Sequence, residues 1–127
     1  MSNNTFINPT QDQILVVNNF PDDQSLCMLN LLKYKTKTAD GISGKEQYKI
    51  YMKEASPFIE KSKGKVIYYG NALQNFIGPD ESEWDKVLII QYPTKNNFLE
   101  MLQMENYPTH LRAAALEDSR LIICTGI

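Results

Sequence analysis

Three apolar runs, "LCMLNLL", "VLII" and "LIIC", constrain this chain more than any other feature. Each is the length of a strand, and none alternates apolar with polar residues. A strand in an antiparallel sheet with one wet face should alternate, because successive side chains point to opposite faces. These strands therefore expect cover on both faces.

The remaining segments set the order. "PTQDQILVVNNFPDD" reads as a short N-terminal helix. Thr10 caps it, Gln13 completes a capping box, and Pro21 stops it. Leu26–Tyr34 reads as a buried strand and "KTKTADGISG" as a loop. Between Lys45 and Lys63, Tyr48, Tyr51, Met52, Ala55, Phe58 and Ile59 form the single stripe of an amphipathic helix. Pro57 should kink that helix, and Gly64 suits its C-terminus. "KVIYYGNALQNFIG" reads as a strand, "GPDESE" as a turn and "WDKVLIIQY" as a strand. Pro93-Thr94 introduces a helix, Tyr107-Pro108 restarts it with proline at the first helical position, and "RLIICTGI" closes as a strand. Leaving out the N-terminal helix, the order is βαββαβ. That is the split βαβ, ferredoxin-like pattern of an α+β fold with an antiparallel sheet. The helices can cover one face of that sheet. The other face calls for a second copy, in a homodimer packed sheet to sheet around a barrel-like shared core.

A chain of 127 residues is one domain by length, here a helical extension over residues 1–24 and a domain over residues 25–127. A net charge of -2, with Lys and Arg dispersed, lacks the footprint of a nucleic-acid binder. No apolar run reaches the ~18 residues of a membrane span. The polar "MSNNTFINPT" has no signal-peptide pattern, so a cytoplasmic protein is expected. Cys27 and Cys124 sit in apolar runs and are read as buried free thiols. With a single histidine there is no metal-ligand cluster, phosphate loop or nucleophile motif, so no metal or cofactor is expected. The lysine-bearing loop from Lys33 to Lys45 is read as a solvated connector, or as a lip over a pocket.

The polar residues of interest centre on "YPTHLRAAALEDSR". On a helix starting at Tyr107, Arg112 falls at about 140°, between Ala115 at about 80° and Leu116 at about 180°. His110 falls at about 300°, beside Glu117 at about 280°. Arg112 thus faces inward and His110 outward. An inward guanidinium must find acceptors. One reading pairs it with Asp118, Asp85 or Glu117. The other makes it the anion-binding group of a pocket between helix and sheet. Asn30 interrupts the first strand on the side of Met28 and Leu32, where its amide must bond to backbone or face a ligand. Tyr48 and Tyr51, one turn apart on the inner stripe, are either core with wet hydroxyls or lining of the same cavity.

Four segments also carry a resemblance: "MLNLLKYK", "YKIYMKEASPFIEKSKGKVIYYGNA", "WDKVLIIQYPT" and "NYPTHLRAAALEDSRLI". In order and spacing, from about Ser25 to the end, they resemble the DUF1330 family of the dimeric α+β barrel superfamily. "NPTQDQILVVNNFPDD" looks like an extension seen in a subset of those proteins. The resemblance implies a ferredoxin-like subunit in a homodimer. Superfamily relatives include cofactor-independent monooxygenases, muconolactone isomerases, polyketide cyclases and haem enzymes, many of which use the cavity between sheet and helices. Haem is discounted here, because His110 faces outward. A tyrosine and an arginine resembling Tyr107 and Arg112 recur in the family pattern. The expected ligand-binding set is therefore Arg112, Asn30, Tyr51, Tyr107 and Tyr48, holding a small anionic or aromatic organic molecule. The alternative is a non-catalytic interaction module in which these residues are structural.

Overall fold

The computed structural model describes residues 4–127. In chain order the elements are α1 (Gln11–Asn18), β1 (Leu26–Tyr34), α2 (Gly44–Lys61), β2 (Lys65–Asn71), β3 (Lys86–Tyr92), α3 (Lys95–Leu102), α4 (Thr109–Ala115) and β4 (Leu116–Thr125). The four strands form one antiparallel sheet in the order β2-β3-β1-β4, so the fold is α+β with ferredoxin-like order plus a short N-terminal helix.

Period-two alternation sorts the strand residues onto two faces. On one face Leu26, Met28, Asn30 and Leu32 of β1 stand beside Tyr92, Ile90 and Leu88 of β3. The apolar members join Tyr48, Tyr51, Ala55 and Ile59 of α2 in the buried core. The other face carries Leu29 opposite Ile89 and Ile122, and Leu31 opposite Val87. No helix among the described residues lies in the core contacts of that face, and Ile122 is 47% exposed. The non-alternating runs therefore have one apolar face on the helices and a second one open.

Helix starts follow the local chemistry closely. Thr10 and Gln13 make the reciprocal capping box of α1, and Ser43 and Thr94 cap α2 and α3 through their side-chain oxygens. α2 runs through Pro57. Proline there removes one helical hydrogen bond, but Pro57 and Lys53 are exposed and the freed carbonyl can bond to water. No helix among the described residues is long and apolar enough to cross a membrane.

Four expectations need correction. β2 ends at Asn71 rather than running on to Gly78. Its partner β3 begins at Lys86 and the last bond across is from the Ala72 amide to the Asp85 carbonyl, so residues 73–77 have no strand to pair with, and Leu73, Phe76 and Ile77 are 89–98% exposed. The residue in left-handed conformation after α2 is Lys63 (φ 62°), not Gly64. Gly64 is required for a different reason: a Cβ there would stand 2.7 Å from Tyr92 Cε1 and 2.8 Å from Ile59 Cγ2. Pro108 occupies the position before α4 rather than its first turn. Finally, the helix stops at Ala115, and Leu116 and Glu117 already belong to β4, so their helical angles do not apply.

Cys27 and Cys124 are free and face each other across β1 and β4. Cys27 is buried, whereas Cys124 is only half-buried.

Candidate functional site

A cavity of about 720 Å³ lies between the helix-side face of the sheet and the helices. Sheet residues Met28, Asn30, Leu88 and Ile90 form its floor, and α2 contributes Tyr48 and Tyr51 to a wall. Tyr107 and Arg112 close another side, and all five expected site residues therefore line one space. Its roof is the N-terminal segment, which contributes residues from Phe6 to Phe20.

Arg112 points inward from α4, and it is not paired with a carboxylate among the described residues. Its Nη1 donates to the Ile7 carbonyl at 2.8 Å and its Nη2 to Asn30 Oδ1 at 3.5 Å. The carboxylates weighed from sequence are engaged elsewhere. Asp118 pairs with Arg120 at 2.7 Å, Glu117 with Lys33 at 3.4 Å, and Asp85 accepts the Tyr34 amide at 2.8 Å. Asn30 takes the backbone-bonded reading and also lines the cavity. Its Nδ2 donates to the Met28 and Leu88 carbonyls at 3.3 Å each, which aims its oxygen at Arg112. A cation thus stands at a largely apolar cavity with only neutral oxygens against it.

The tyrosines form a second polar group. Tyr51 and Tyr107 hydroxyls are 2.5 Å apart, and the Tyr51 ring packs on Tyr48 at 5.2 Å and edge-on to Tyr107 at 6.4 Å. Burial pushes the Tyr51 phenol up, while the Tyr107 hydrogen bond and the Arg112 charge pull it back in part. Burial likewise pushes Tyr107 and Tyr48 up, with Arg112 opposing in both cases. All three hydroxyls stay protonated at neutral pH; one proton of the Tyr51–Tyr107 pair joins the two, and the other is free to donate.

His110 is exposed on α4 and does not line the cavity. The loop from Lys33 to Lys45 does not cover the cavity either. Lys35, Thr36, Ser43 and Lys45 border a separate hollow of about 430 Å³. What sequence reasoning missed is the roof. Ile7 and Phe6 carry no motif, although Ile14 and Val17, three apart beyond the Thr10 cap, mark one apolar side of α1.

The chain superposes on the crystal structure of RPA0582, a protein of unknown function from Rhodopseudomonas palustris. The TM-score is 0.90 and the identity 32%, covering 97% of this chain and 98% of that one. This chain belongs to the RPA0582 family. Methylated RPA0582 gives a TM-score of 0.88 at 32% identity, covering 97% and 96%. SnoaB, a cofactor-independent oxygenase from Streptomyces nogalater, is similar at a TM-score of 0.52 and 12% identity, covering 82% of this chain and 94% of that one, and shares the fold. No family model and no curated protein matches the chain. The length shared with RPA0582 is too great to leave out the N-terminal segment, so the family alignment includes the roof of the cavity.

Proposed function

We propose that this protein binds a small organic anion with an apolar, preferably aromatic, body in the cavity beside Arg112. The single observation that carries the reading is the guanidinium itself, held by two neutral oxygens at the edge of an apolar space. A guanidinium keeps its charge, and its planar fork matches a carboxylate. Asn30 fixes the guanidinium, the Tyr51–Tyr107 pair offers its one free hydroxyl proton to a second oxygen, and Tyr48 supplies aromatic wall. The lining holds no Asp, Glu or His among the described residues, so any proton transfer would fall to the tyrosines. That favours a binding role over a catalytic one. Cofactor-independent oxygenation, the activity named for SnoaB, is the second reading and rests on the fold alone.

The DUF1330 assignment belongs to the same proposal, supported by the order and spacing of the four matching segments. So does the homodimer, in which the apolar face of Leu29, Ile89 and Ile122 meets its copy, sheet against sheet, as a dimeric α+β barrel. A cytoplasmic setting belongs to the same proposal, supported by two isolated cysteines set in apolar runs without a disulfide framework.

Thermal-shift measurement with 2-naphthoate and its uncharged analogue 2-naphthylmethanol tests the binding reading. Naphthoate should raise the melting temperature, by mass action on the folded state. The shift should be lost in Arg112→Ala and weakened in Arg112→Lys. Equal shifts in wild type and both variants would refute the assignment of Arg112.

A further inference from the structure

We propose that the Ile7 carbonyl occupies the place of the ligand's carboxylate, so that anion binding at Arg112 releases the N-terminal segment that roofs the cavity. This rests on the reading of the cavity as an anion site.

Arg112 Nη1 and Nη2, the end of the guanidinium fork, are taken by the Ile7 carbonyl and by Asn30 Oδ1. Each Nη carries two N–H groups, and a carboxylate that docks end-on, one oxygen to each Nη, competes for the two now held by these oxygens. The Ile7 bond is charge-assisted on the donor side alone, whereas a carboxylate brings a charged acceptor and two parallel N–H···O bonds, so a carboxylate displaces the peptide oxygen. The Asn30 contact, at the limit of hydrogen-bond length, yields with it.

The segment is built to be released at this end. Its near end is held by a small polar latch. The Ser119 hydroxyl donates to the Phe6 carbonyl at 2.6 Å, the Phe6 amide donates to Asp118 at 2.8 Å, and the Arg120 guanidinium stacks on the Phe6 ring at 4.8 Å. Its far end is anchored where Lys95 donates to the Asn18 carbonyl and pairs with Asp22 at 3.3 Å. Between the two, α1 packs weakly. Val17 is its only buried residue, while Leu15 and Val16 are 59% and 57% exposed. Loss of the Ile7 bond thus loosens a lightly packed flap whose near end is then held by the Phe6 latch alone. The flap covers the cavity that the ligand must enter, so one exchange of acceptors on Arg112 couples entry to opening.

Hydrogen exchange on the full-length protein, with and without saturating 2-naphthoate, tests this. Amides between Phe6 and Phe20 should exchange about 2- to 10-fold faster with naphthoate bound, the effect of losing one net hydrogen bond. Ser119→Ala and Asp118→Asn, which weaken the latch, should bind naphthoate about 2- to 10-fold tighter and leave 2-naphthylmethanol binding unchanged. Arg112-dependent naphthoate binding with unchanged or slower exchange in the segment would overturn the acceptor exchange and leave the anion site standing. No Arg112-dependent binding at all would overturn both.

Discussion

The hydroxyls of Tyr51 and Tyr107 lie 2.5 Å apart, joining α2 to the turn that leads into α4. One hydroxyl donates to the other, and the second proton remains free to point into the cavity. Replacing either tyrosine by phenylalanine strands its partner in a buried place, at a cost of about 1–3 kcal/mol. The double variant Tyr51→Phe/Tyr107→Phe leaves neither partner stranded. Its destabilisation in urea titrations should therefore be smaller than the sum of the two single changes. Additive costs would mean that the short contact contributes no coupling.

Asp118 gives the latch a pH dependence. Burial acts to raise its carboxyl, but the Phe6 amide, the Arg120 guanidinium and the Ser119 amide together outweigh burial and hold it below the usual carboxylate range. A depressed folded-state pKa contributes stability that is present above the unfolded value, about 4, and is lost as pH falls through the folded value. Acidification through the depressed folded value, below about pH 4, should therefore weaken the carboxylate's hold on the Phe6 amide and on Arg120. Trp84, the only tryptophan, lies 5.2 Å from the same guanidinium and should report the change by fluorescence. Asp118→Asn should show the released signal already at pH 7. An Asp118→Asn spectrum identical to wild type across the acid range would show that the carboxyl does not hold the latch.

Gly64 and Lys63 make an opposed pair. Gly64→Ala drives a methyl into Tyr92 and Ile59, and should cost about 1–3 kcal/mol by chemical denaturation. Lys63→Gly relieves a left-handed non-glycine residue and should stabilise by up to about 1 kcal/mol. A neutral Gly64→Ala would show that β2 and the end of α2 can separate at little cost.

The open sheet face predicts the assembly. Ile122→Lys and Leu29→Lys each place a charge where a second copy would pack. Sedimentation should show a dimer in wild type and a shift to monomer in both variants, with the naphthoate response retained in Leu29→Lys, because Ile122 also borders the cavity. A wild-type monomer at micromolar concentration would remove the sheet-to-sheet proposal.

What could be read from sequence divides by how local its cause is. β1 is bounded as expected because an apolar run ends at Lys33-Tyr34, and α1 starts as expected because Thr10 and Gln13 bond to each other. Arg112 faces inward as its angle suggested, even though the helix is only seven residues long. Phe76 and Ile77 misled because they are as apolar as a strand, and only the register with β3 reveals that they lack a partner. The acceptor of Arg112 was beyond reach. Asp118, Asp85 and Glu117 were weighed as charges, whereas the bond goes to a backbone carbonyl 105 positions away. No side-chain pattern marks a peptide oxygen.

α4 passes into β4 with no connecting residue, since Ala115 ends one and Leu116 begins the other. One added or deleted residue at that joint would either turn every β4 side chain to the opposite face or swing Arg112 around its helix by about 100°. The span from Tyr107 to Thr125 can therefore diverge by substitution but not by length. Across the lineage, insertions and deletions should collect in residues 72–85 and be absent here. A gap at the joint in any descendant would mark a protein that has given up this cavity.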